Sequence, residues 1–446
     1  MLLYVLKRIL FFIPKFFLIT IIAFFITSSS PIDPVQKYAI GLNQDARSIE
    51  IAQKEYYAKY GLDKPLFYFS INNYASCDTL NRVPLKQERE TLHYLSQYYG
   101  NWDKTSSYYL TIKNELKQDN SGNSISILKE LLLEKKEDRI DFLIQKLEHK
   151  DAILANFNSL KESKTITNKL IPTFNWYGAN SQYHEWIFRF LKGDFGNSYV
   201  TGEPVARVLG KKLWRSFELV FFAILIAYFI SIPIGVFMSK IKSKTLYNGF
   251  NLSLVLLMSI PSFIFGIFLM HYFSNPEHLF WFESNGYKDF ELSEDAYYKL
   301  NYLERLWHSL PYMVLPIITY IYASFAFLAK QTEVSLLEEN NKLYVLAAKA
   351  KGVTDAQLTW KHTLKNALFP LITLFANIFP LAIGSSVVVE YVFQYNGIGK
   401  ATVEAIQVSD RPILLAVICL SALMVMISHL VTDILYQILD PRTKLK

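Results

Sequence analysis

Residues 346–370, LAAKAKGVTDAQLTWKHTLKNALFP, lie between two hydrophobic runs that are each long enough to cross a bilayer. A short helix is predicted just ahead of and within this stretch, because apolar side chains recur at i, i+1, i+4 and i+5. Two of the four are alanines, so the stripe is shallow and another backbone can approach it closely. The stripe consists of Leu343, Tyr344, Ala347 and Ala348.

A glycine predicts where this first helix ends. Gly352 can adopt the left-handed conformation that commonly follows a helix C-terminus. Lys349 and Lys351 lie near the negative end of the helix dipole, which favours the same boundary.

A second helix is predicted to begin directly afterwards. Thr354 with Gln357 three residues later fits a capping box. Trp360, Leu364 and Leu368 then recur at helical spacing toward the next hydrophobic run. A helix–turn–helix that continues into a membrane span can carry movement from a partner protein into the bilayer.

The composition of the whole chain indicates a membrane protein. Of the 446 residues, 51% are hydrophobic and only 19% are charged. The formal charge of +7 flanks the hydrophobic runs, which predicts contact with the lipid bilayer and no nucleic acid partner. Cys77 and Cys419 cannot form a disulfide framework, and Cys419 is predicted to pack as a small hydrophobe.

Six hydrophobic windows are long enough to be transmembrane helices, since about 20 residues rising about 1.5 Å each cross a hydrocarbon core of about 30 Å. The predicted fold class is therefore all-α, a polytopic membrane protein with six transmembrane helices. The predicted spans are residues 9–28, 217–238, 249–273, 311–329, 367–389 and 412–438.

The first window has an alternative interpretation as a secretory signal peptide. Lys7 and Arg8 precede it, and the small residues Ser28–Ser30 follow it. Its apolar core, Ile9–Ile26, has 18 residues, which is long for a cleaved signal and favours a retained span.

The distribution of lysine and arginine predicts the orientation. One set of segments carries 14 Lys/Arg in 62 residues, whereas the short loops of the other side carry 5 in 59. The richer side is predicted to be cytoplasmic, with both chain termini and the loop 330–366. Lys211, Lys212 and Arg215 are a local exception on the outer side. The richer segments are 1–8, 239–247, 330–366 and 439–446, and the poorer loops are 274–310 and 391–412.

Residues 72–183 are predicted to be a polar, helical insertion outside the cytoplasm. ISILKELLLEKKEDRIDFLIQKLEH carries apolar pairs at helical spacing, and such a face needs a partner surface. The insertion is predicted to be either a small helical decoration or a docking surface. The predicted domains are 1–71 with the first span, 72–183 as the insertion, and 184–446 as the core with spans two to six.

No catalytic or metal site is predicted. GIGKAT at 397–402 suggests a phosphate-binding loop, but the spacing fails because Gln394 stands where that motif requires glycine. The eight histidines include no His-Glu-x-x-His, and the two cysteines are far apart in sequence, so neither a metal nor another cofactor is expected in this chain.

Four polar residues within or at the ends of the spans are candidates for a transport pathway or for helix packing. An intramembrane ionisable group is by default a candidate for a pathway. Glu390 and Asp433 lie near predicted span ends, from which their carboxylates could reach the membrane surface. Helix packing is favoured for the two asparagines, which lie deeper. The four are Asn251, Asn377, Glu390 and Asp433.

The two parts of the loop motif and five further blocks resemble, in order, the inner-membrane permeases of ATP-binding-cassette importers, in the branch for dipeptides, oligopeptides and nickel. AAKAKG followed by HTLKNALFP resembles that branch's cytoplasmic signature, with Leu346 where the general pattern has glutamate. The resemblance covers the chain except roughly residues 72–183. The other blocks are LKRILFFIPKFFLITIIAFFITSSSPIDP, YGLDKPL, FLKGDFGNSYVTGEPV, EYVFQYNGIGKATVEAIQVSDRPIL and DILYQILDPR, with the spans between them.

The resemblance implies a permease subunit of an importer in a bacterial cytoplasmic membrane, without its own ATPase site. It implies as partners a second permease, two ATPase subunits that bind ATP and Mg²⁺, and an extracytoplasmic substrate-binding protein. It also implies that the loop couples the ATPases to the spans. The implied coupling residues are Ala347, Ala348, Gly352, Trp360, His362, Leu364 and Asn366.

Two other classes of membrane protein remain alternatives. A secondary transporter or channel could have six spans, but it would usually show midplane ionisable residues or an inverted repeat. A sensor could carry an external domain after its first helix, but it would need a cytoplasmic output module, and only eight residues follow the last predicted span.

Overall fold

The structure is a computed structural model that describes residues 2–28, 55–76, 80–83, 85–118, 122–165, 167–376 and 386–439. Its contacts divide the chain into two compact units. Met1–Pro31 and Phe195–Lys446 form one, called here the membrane unit. Ile32–Asp194 form the other, called the helical unit, and the predicted insertion 72–183 lies within it.

The membrane unit begins with helix α1, Leu2–Ser28, which contains Pro14. The helical unit follows and contains a small sheet as well as helices. Strand β1, Phe69–Asn73, pairs antiparallel with β2, Pro172–Trp176, so that Asn73 lies opposite Pro172. The sequence prediction of a wholly helical insertion missed these strands, because each has only five residues and its partner is about one hundred residues away.

Five helices between the two strands form a closed hydrophobic core. Leu131, Ile140 and Ile144 are fully buried against Phe157 and Tyr108. The apolar pairs that required a partner surface therefore find it within the same unit. The helices are α2 Lys86–Tyr99, α3 Trp102–Gln118, α4 Gly122–Leu131, α5 Glu137–Gln145 and α6 Asp151–Glu162, and α7 Gln182–Leu191 follows β2.

The rest of the membrane unit is helical in the part that the structure describes, and Cys419 is buried as predicted. This architecture is that of an all-α polytopic membrane protein. Its elements are α8 Val205–Lys240, α9 Lys244–Ser259, α10 Ser262–Phe273, α11 Glu294–Lys299, α12 Tyr302–Asn340, α13 Leu343–Ala350, α14 Asp355–Gln357, a π-helical turn Leu358–Thr363, α15 Leu364–Ala367, α16 Phe369–Ala376, α17 Ser386–Val392, α18 Ile398–Val408 and α19 Arg411–Leu439.

Among the described residues, three helices are long and apolar enough to cross a membrane: α1, α8 and α19. Up to two more spans are obtained if bent helix pairs are counted, namely α9 with α10 and the two halves of α12. The predicted fifth span, 367–389, lies partly outside the described residues.

The predicted third span, 249–273, is two helices, α9 and α10, that meet at 87° rather than one straight helix. Pro261 lies at the break and has no N–H to donate to a carbonyl one turn earlier. The hydroxyl of Tyr322 donates to the carbonyl of Leu257 at 2.5 Å and thereby satisfies the acceptor that the proline leaves free.

Helices α8 and α12 pack closely at a glycine. A Cβ atom at Gly235 would lie 2.5 Å from the Cβ of Thr332 and 2.6 Å from the carbonyl oxygen of Ala329. Only glycine allows this approach, as in many membrane helix pairs.

Candidate functional site

The loop between α12 and α16 forms the two helical segments that the sequence predicts. Gly352 has φ +78° and follows α13, which confirms the predicted left-handed end. Thr354 caps the next helix, because its side-chain oxygen accepts a hydrogen bond from the amide of Gln357 at 3.4 Å. Local sequence signals were sufficient here because both contacts span three residues or fewer.

One side of α13 is anchored and the opposite side is exposed. Val345 is fully buried, whereas Leu343 is 83% exposed and Leu346 and Ala347 are exposed. Ala348 is half-buried, and Trp360 of the following π-helical turn is 54% exposed. Apolar side chains left exposed together are typical of a surface that binds a partner.

A hydrogen-bonded chain ties α13 to the helices on both sides of it. The hydroxyl of Tyr344 donates to Glu339 Oε2 of α12 at 2.6 Å, and Asn366 Nδ2 of α15 donates to that hydroxyl at 2.9 Å. Lys342 also pairs with Glu339. Burial and the hydrogen bond to Glu339 raise the pKa of Tyr344, so the hydroxyl stays protonated and remains a donor at physiological pH.

Trp360, Leu364 and Leu368 were predicted at α-helical spacing, but Trp360 does not share the buried face of Leu364 and is 54% exposed. Residues 358–363 form a π-helical turn, in which the hydroxyl of Thr363 donates to the carbonyl of Leu358 at 3.1 Å. The wider turn rotates the buried face away from Trp360. The buried residues are Leu358, Thr359, Thr363, Leu364 and Ala367.

The second half of the loop packs against the helix bundle. Leu364 and Ala367 share one buried cluster with Val236 of α8 and Leu336 of α12. His362 is exposed, so of the candidate coupling residues it lies with Trp360 on the open side. A force on the exposed side of the loop would therefore be transmitted through Leu364 to α8 and α12.

Glu390 does not reach the membrane surface, contrary to the interpretation offered from its sequence position. Its side chain is fully buried at the end of α17. Ser216 Oγ of α8 donates to Glu390 Oε1 at 2.6 Å, and the amides of Gly399 and Lys400 donate to Oε2 at 2.8 and 3.2 Å. The carboxylate thus caps the N-terminus of α18, where the helix dipole favours negative charge.

The backbone amides of the glycine-rich segment that resembles a phosphate loop are therefore already bound to a carboxylate of the same chain, that of Glu390. A Cβ atom at Gly397 would lie against Glu390 Oε2 and Ser216 Oγ, closer than real Cβ atoms approach. Ser216 Oγ also accepts the amide hydrogen bond of Ile398 at 2.8 Å. These residues, Ser216, Glu390, Gly397, Gly399 and Lys400, are called here the Glu390 cluster.

The other polar candidates make contacts between helices where they are described. Asn251 Oδ1 of α9 accepts from Lys330 Nζ of α12 at 2.8 Å, and Lys330 also lies 2.9 Å from the buried Glu333. Asp433 of α19 forms an ion pair with Arg8 of α1 at 2.9 Å. Asn377 lies outside the described residues.

Arg215, one of the three basic residues that are exceptions on the predicted outer side, is explained by its surroundings. Arg215 is 5% exposed, stacks 3.3 Å above the ring centre of Tyr287, and donates to the carbonyl of Asn396 at 3.3 Å. Its guanidinium also lies 3.7 Å from Glu294, and the hydrogen bond from Tyr287 lowers the pKa of that carboxyl group. Arg215 is thus a buried, paired cation rather than a topological signal.

Sequence reasoning missed Ser216 and Tyr344 as partners of the candidate residues. Ser216 is 174 residues from Glu390, and no local pattern connects them. Tyr344 could have been found, because a tyrosine in the first turn of one helix is within hydrogen-bond reach of a glutamate that lies five residues earlier, at the end of the preceding helix.

Comparison with known proteins identifies the family. Residues 231–445 match the family described as "Binding-protein-dependent transport system inner membrane component". The chain is 34% identical over 271 residues to the oligopeptide transport system permease protein AppB of Bacillus subtilis, covering 60% of this chain and 82% of that protein.

Two further relatives are also named as permease proteins. The inner membrane ABC transporter permease protein YejB of Escherichia coli O157:H7 is 29% identical, with 60% of this chain and 73% of the relative covered. The dipeptide transport system permease protein DppB of Lactococcus lactis is 28% identical, with 59% and 80% covered. The chain is a multi-pass inner-membrane protein, and it belongs to the family of binding-protein-dependent ABC importer permeases, in the branch that contains the peptide permeases.

Proposed function

We propose that this permease is driven by separate ATPase subunits that contact residues 346–366. The observation that carries the proposal is the arrangement of the loop. Its apolar side is exposed at Leu343, Leu346 and Trp360, while Leu364 packs against α8 and α12. A partner that moves the exposed side would move two long membrane helices with it.

The proposed partners are two ATPases that bind ATP and Mg²⁺, a second permease subunit, and an extracytoplasmic binding protein that delivers the cargo. The proposed cargo is a peptide or a similar small solute, because the relatives are named for oligopeptide and dipeptide transport. The chain itself is proposed to have no ATPase site and to work by conformational change. Its termini and the loop 330–366 are proposed to lie in the cytoplasm, in line with the lysine and arginine distribution.

The proposal is tested with Leu346→Glu, which places a charge on the exposed apolar side of α13. Leu110→Glu in α3 is the matched control, because it makes the same change at a leucine of the helical unit that is equally exposed, 54% against 53%. We expect Leu346→Glu to reduce ATP-dependent peptide uptake into proteoliposomes at least about tenfold, since an unpaired carboxylate that becomes buried at the interface costs more than about 1.4 kcal/mol.

Co-purification of the ATPases with each variant completes this test. Leu346→Glu should lose the ATPases while its amount in the membrane is unchanged, and Leu110→Glu should keep them. Full uptake by Leu346→Glu with the ATPases still bound would exclude the exposed side of α13 as the coupling surface.

A further inference from the structure

A cavity of about 270 Å³ lies in the membrane unit between the N-terminal ends of α8 and α12. Its walls include one tryptophan and three tyrosines, together with charged side chains from both helices. The lining residues include Lys211, Trp214, Arg215, Glu218, Tyr302 and Arg305.

The cavity is lined by more cations than anions. Lys211, Arg215 and Arg305 face a single lining carboxylate, that of Glu218. Glu218 already accepts a hydrogen bond from the hydroxyl of Tyr302 at 2.7 Å. Glu294 lies beside Arg215 but does not line the cavity, and even with it the cations remain in excess. The site therefore favours an anionic ligand.

Two hydrogen-bond donors of this wall have no acceptor. Arg215 Nε and Arg305 Nε are both buried and unpaired within the part of the chain that the structure describes. The side chain of Arg305 forms no hydrogen bond or salt bridge there at all. Buried unpaired donors are rare in folded proteins, so a ligand or ion with acceptor oxygens is expected beside them.

The cavity lies where two predicted spans begin, which is the depth at which lipid headgroups are expected. Arg215 and Glu218 are at the beginning of the predicted span 217–238, and Arg305 shortly precedes the span 311–329. Tryptophan and tyrosine are enriched at this depth. Apolar side chains beside it, Leu303 and Trp307, are about three-quarters exposed, as expected for a surface that faces acyl chains.

We infer that this cavity binds the phosphodiester of an anionic phospholipid headgroup. Guanidinium groups match phosphate oxygens in geometry and charge, and the aromatic walls suit the glycerol region just below the phosphate. A free phosphate would satisfy the same donors, so the source of the phosphate must be tested. A peptide carboxylate is less favoured, because the exposed Leu303 and Trp307, neighbours of the lining residues in α12, suit acyl chains.

The test measures the melting temperature of the purified protein in detergent during titration with phosphatidylglycerol. Parallel titrations use diacylglycerol, inorganic phosphate and a tripeptide with a free carboxyl terminus. Arg305→Gln and Lys211→Gln remove cavity cations, and the side chain of Arg305 forms no hydrogen bond or salt bridge among the described residues, although its charge interacts with that of Glu218. Arg207→Gln is the matched control, since it removes an exposed arginine from the same helix α8.

Phosphatidylglycerol should raise the melting temperature of the unchanged protein, and diacylglycerol should not. The half-maximal phosphatidylglycerol concentration should be about fivefold higher in Arg305→Gln and Lys211→Gln, and unchanged in Arg207→Gln. An equal response of the Arg305→Gln protein would overturn the inference. Equal stabilisation by inorganic phosphate or by the tripeptide would also overturn it, in favour of a soluble anion. No ATPase is present, so the result is independent of the proposed coupling.

Discussion

The Glu390 cluster and the loop 343–366 both lie at helix termini, but they differ in whether their side chains are buried or exposed. In the cluster, the side-chain oxygens of Glu390 and Ser216 accept hydrogen bonds from three backbone amides, and both of these side chains are fully buried. In the loop, Leu343 and Trp360 are left open. A region whose polar groups are hydrogen-bonded to one another stabilises the fold, whereas a region whose apolar side chains are exposed is suited to binding a partner protein. Substitutions in the cluster should therefore lower stability, and substitutions in the loop should reduce transport.

Glu390→Gln should have the largest effect. The amide would place an N–H₂ group among the donors of Ser216, Gly399 or Lys400 and would remove the negative charge at the start of α18. We expect a loss of about 3 kcal/mol in the free energy of unfolding, seen as a melting temperature lower by about 5–10 °C in detergent.

The matched control is Glu404→Gln on α18. Glu404 is half-exposed and pairs with Lys212 and Lys400 at 3.5 and 3.8 Å, so its loss should cost less than about 1 kcal/mol. Equal melting temperatures for the two variants would show that the Glu390 cluster does not stabilise the fold.

Gly397→Ala should have an intermediate effect on the same cluster. The added methyl group meets the carboxylate and the hydroxyl that already fill this space, so about 1–3 kcal/mol of stability should be lost. Gly249→Ala in α9 is the control, because nothing lies within 4 Å of its Cβ position, and it should be neutral or stabilising by up to about 1 kcal/mol. Thermal unfolding of both proteins compares them, and a neutral Gly397→Ala would contradict the close approach.

Tyr344→Phe should have the smallest effect on stability and should sharpen the contrast. It removes the hydroxyl that joins Glu339 to Asn366, at a cost of about 1 kcal/mol. We expect a melting temperature within about 4 °C of the unchanged protein but several-fold slower ATP-dependent uptake, because α13 would no longer be tied to α12 and α15.

Tyr391→Phe serves as the control for this loss of a hydroxyl. Tyr391 is an exposed tyrosine whose hydroxyl forms no hydrogen bond among the described residues. Uptake should be unaffected by it. If both variants transported equally, the Glu339–Tyr344–Asn366 chain would have no part in coupling.

The features that were predicted correctly depend on residues that are close together in the sequence. The end of α13 at Gly352 and the cap at Thr354 follow from three-residue signals, and the all-α membrane class follows from long apolar runs. The burial of Glu390 could not be predicted, because its partner Ser216 lies on another helix. The π-helical turn at residues 358–363 could not be predicted either, and it changes the α-helical period that the prediction assumed for Trp360, Leu364 and Leu368.

The coupling residues themselves were proposed from the resemblance, and the structure adds their surroundings. Ala347, His362 and Trp360 are exposed, Leu364 is buried, and Asn366 is bonded to Tyr344. No physical pattern in the sequence distinguishes an exposed docking side from an anchoring side at this spacing. The distinction appears only once α8 and α12 supply the surface against which the loop packs.

The pairing of β1 with β2 places Asn73 opposite Pro172, so the segment 74–171 leaves and rejoins the chain at neighbouring points. A segment with adjacent ends can be acquired or deleted in a single genetic event without displacing the residues on either side of it. Insertions or deletions within residues 74–171 should therefore leave the five residue pairs of the β1–β2 ladder in place.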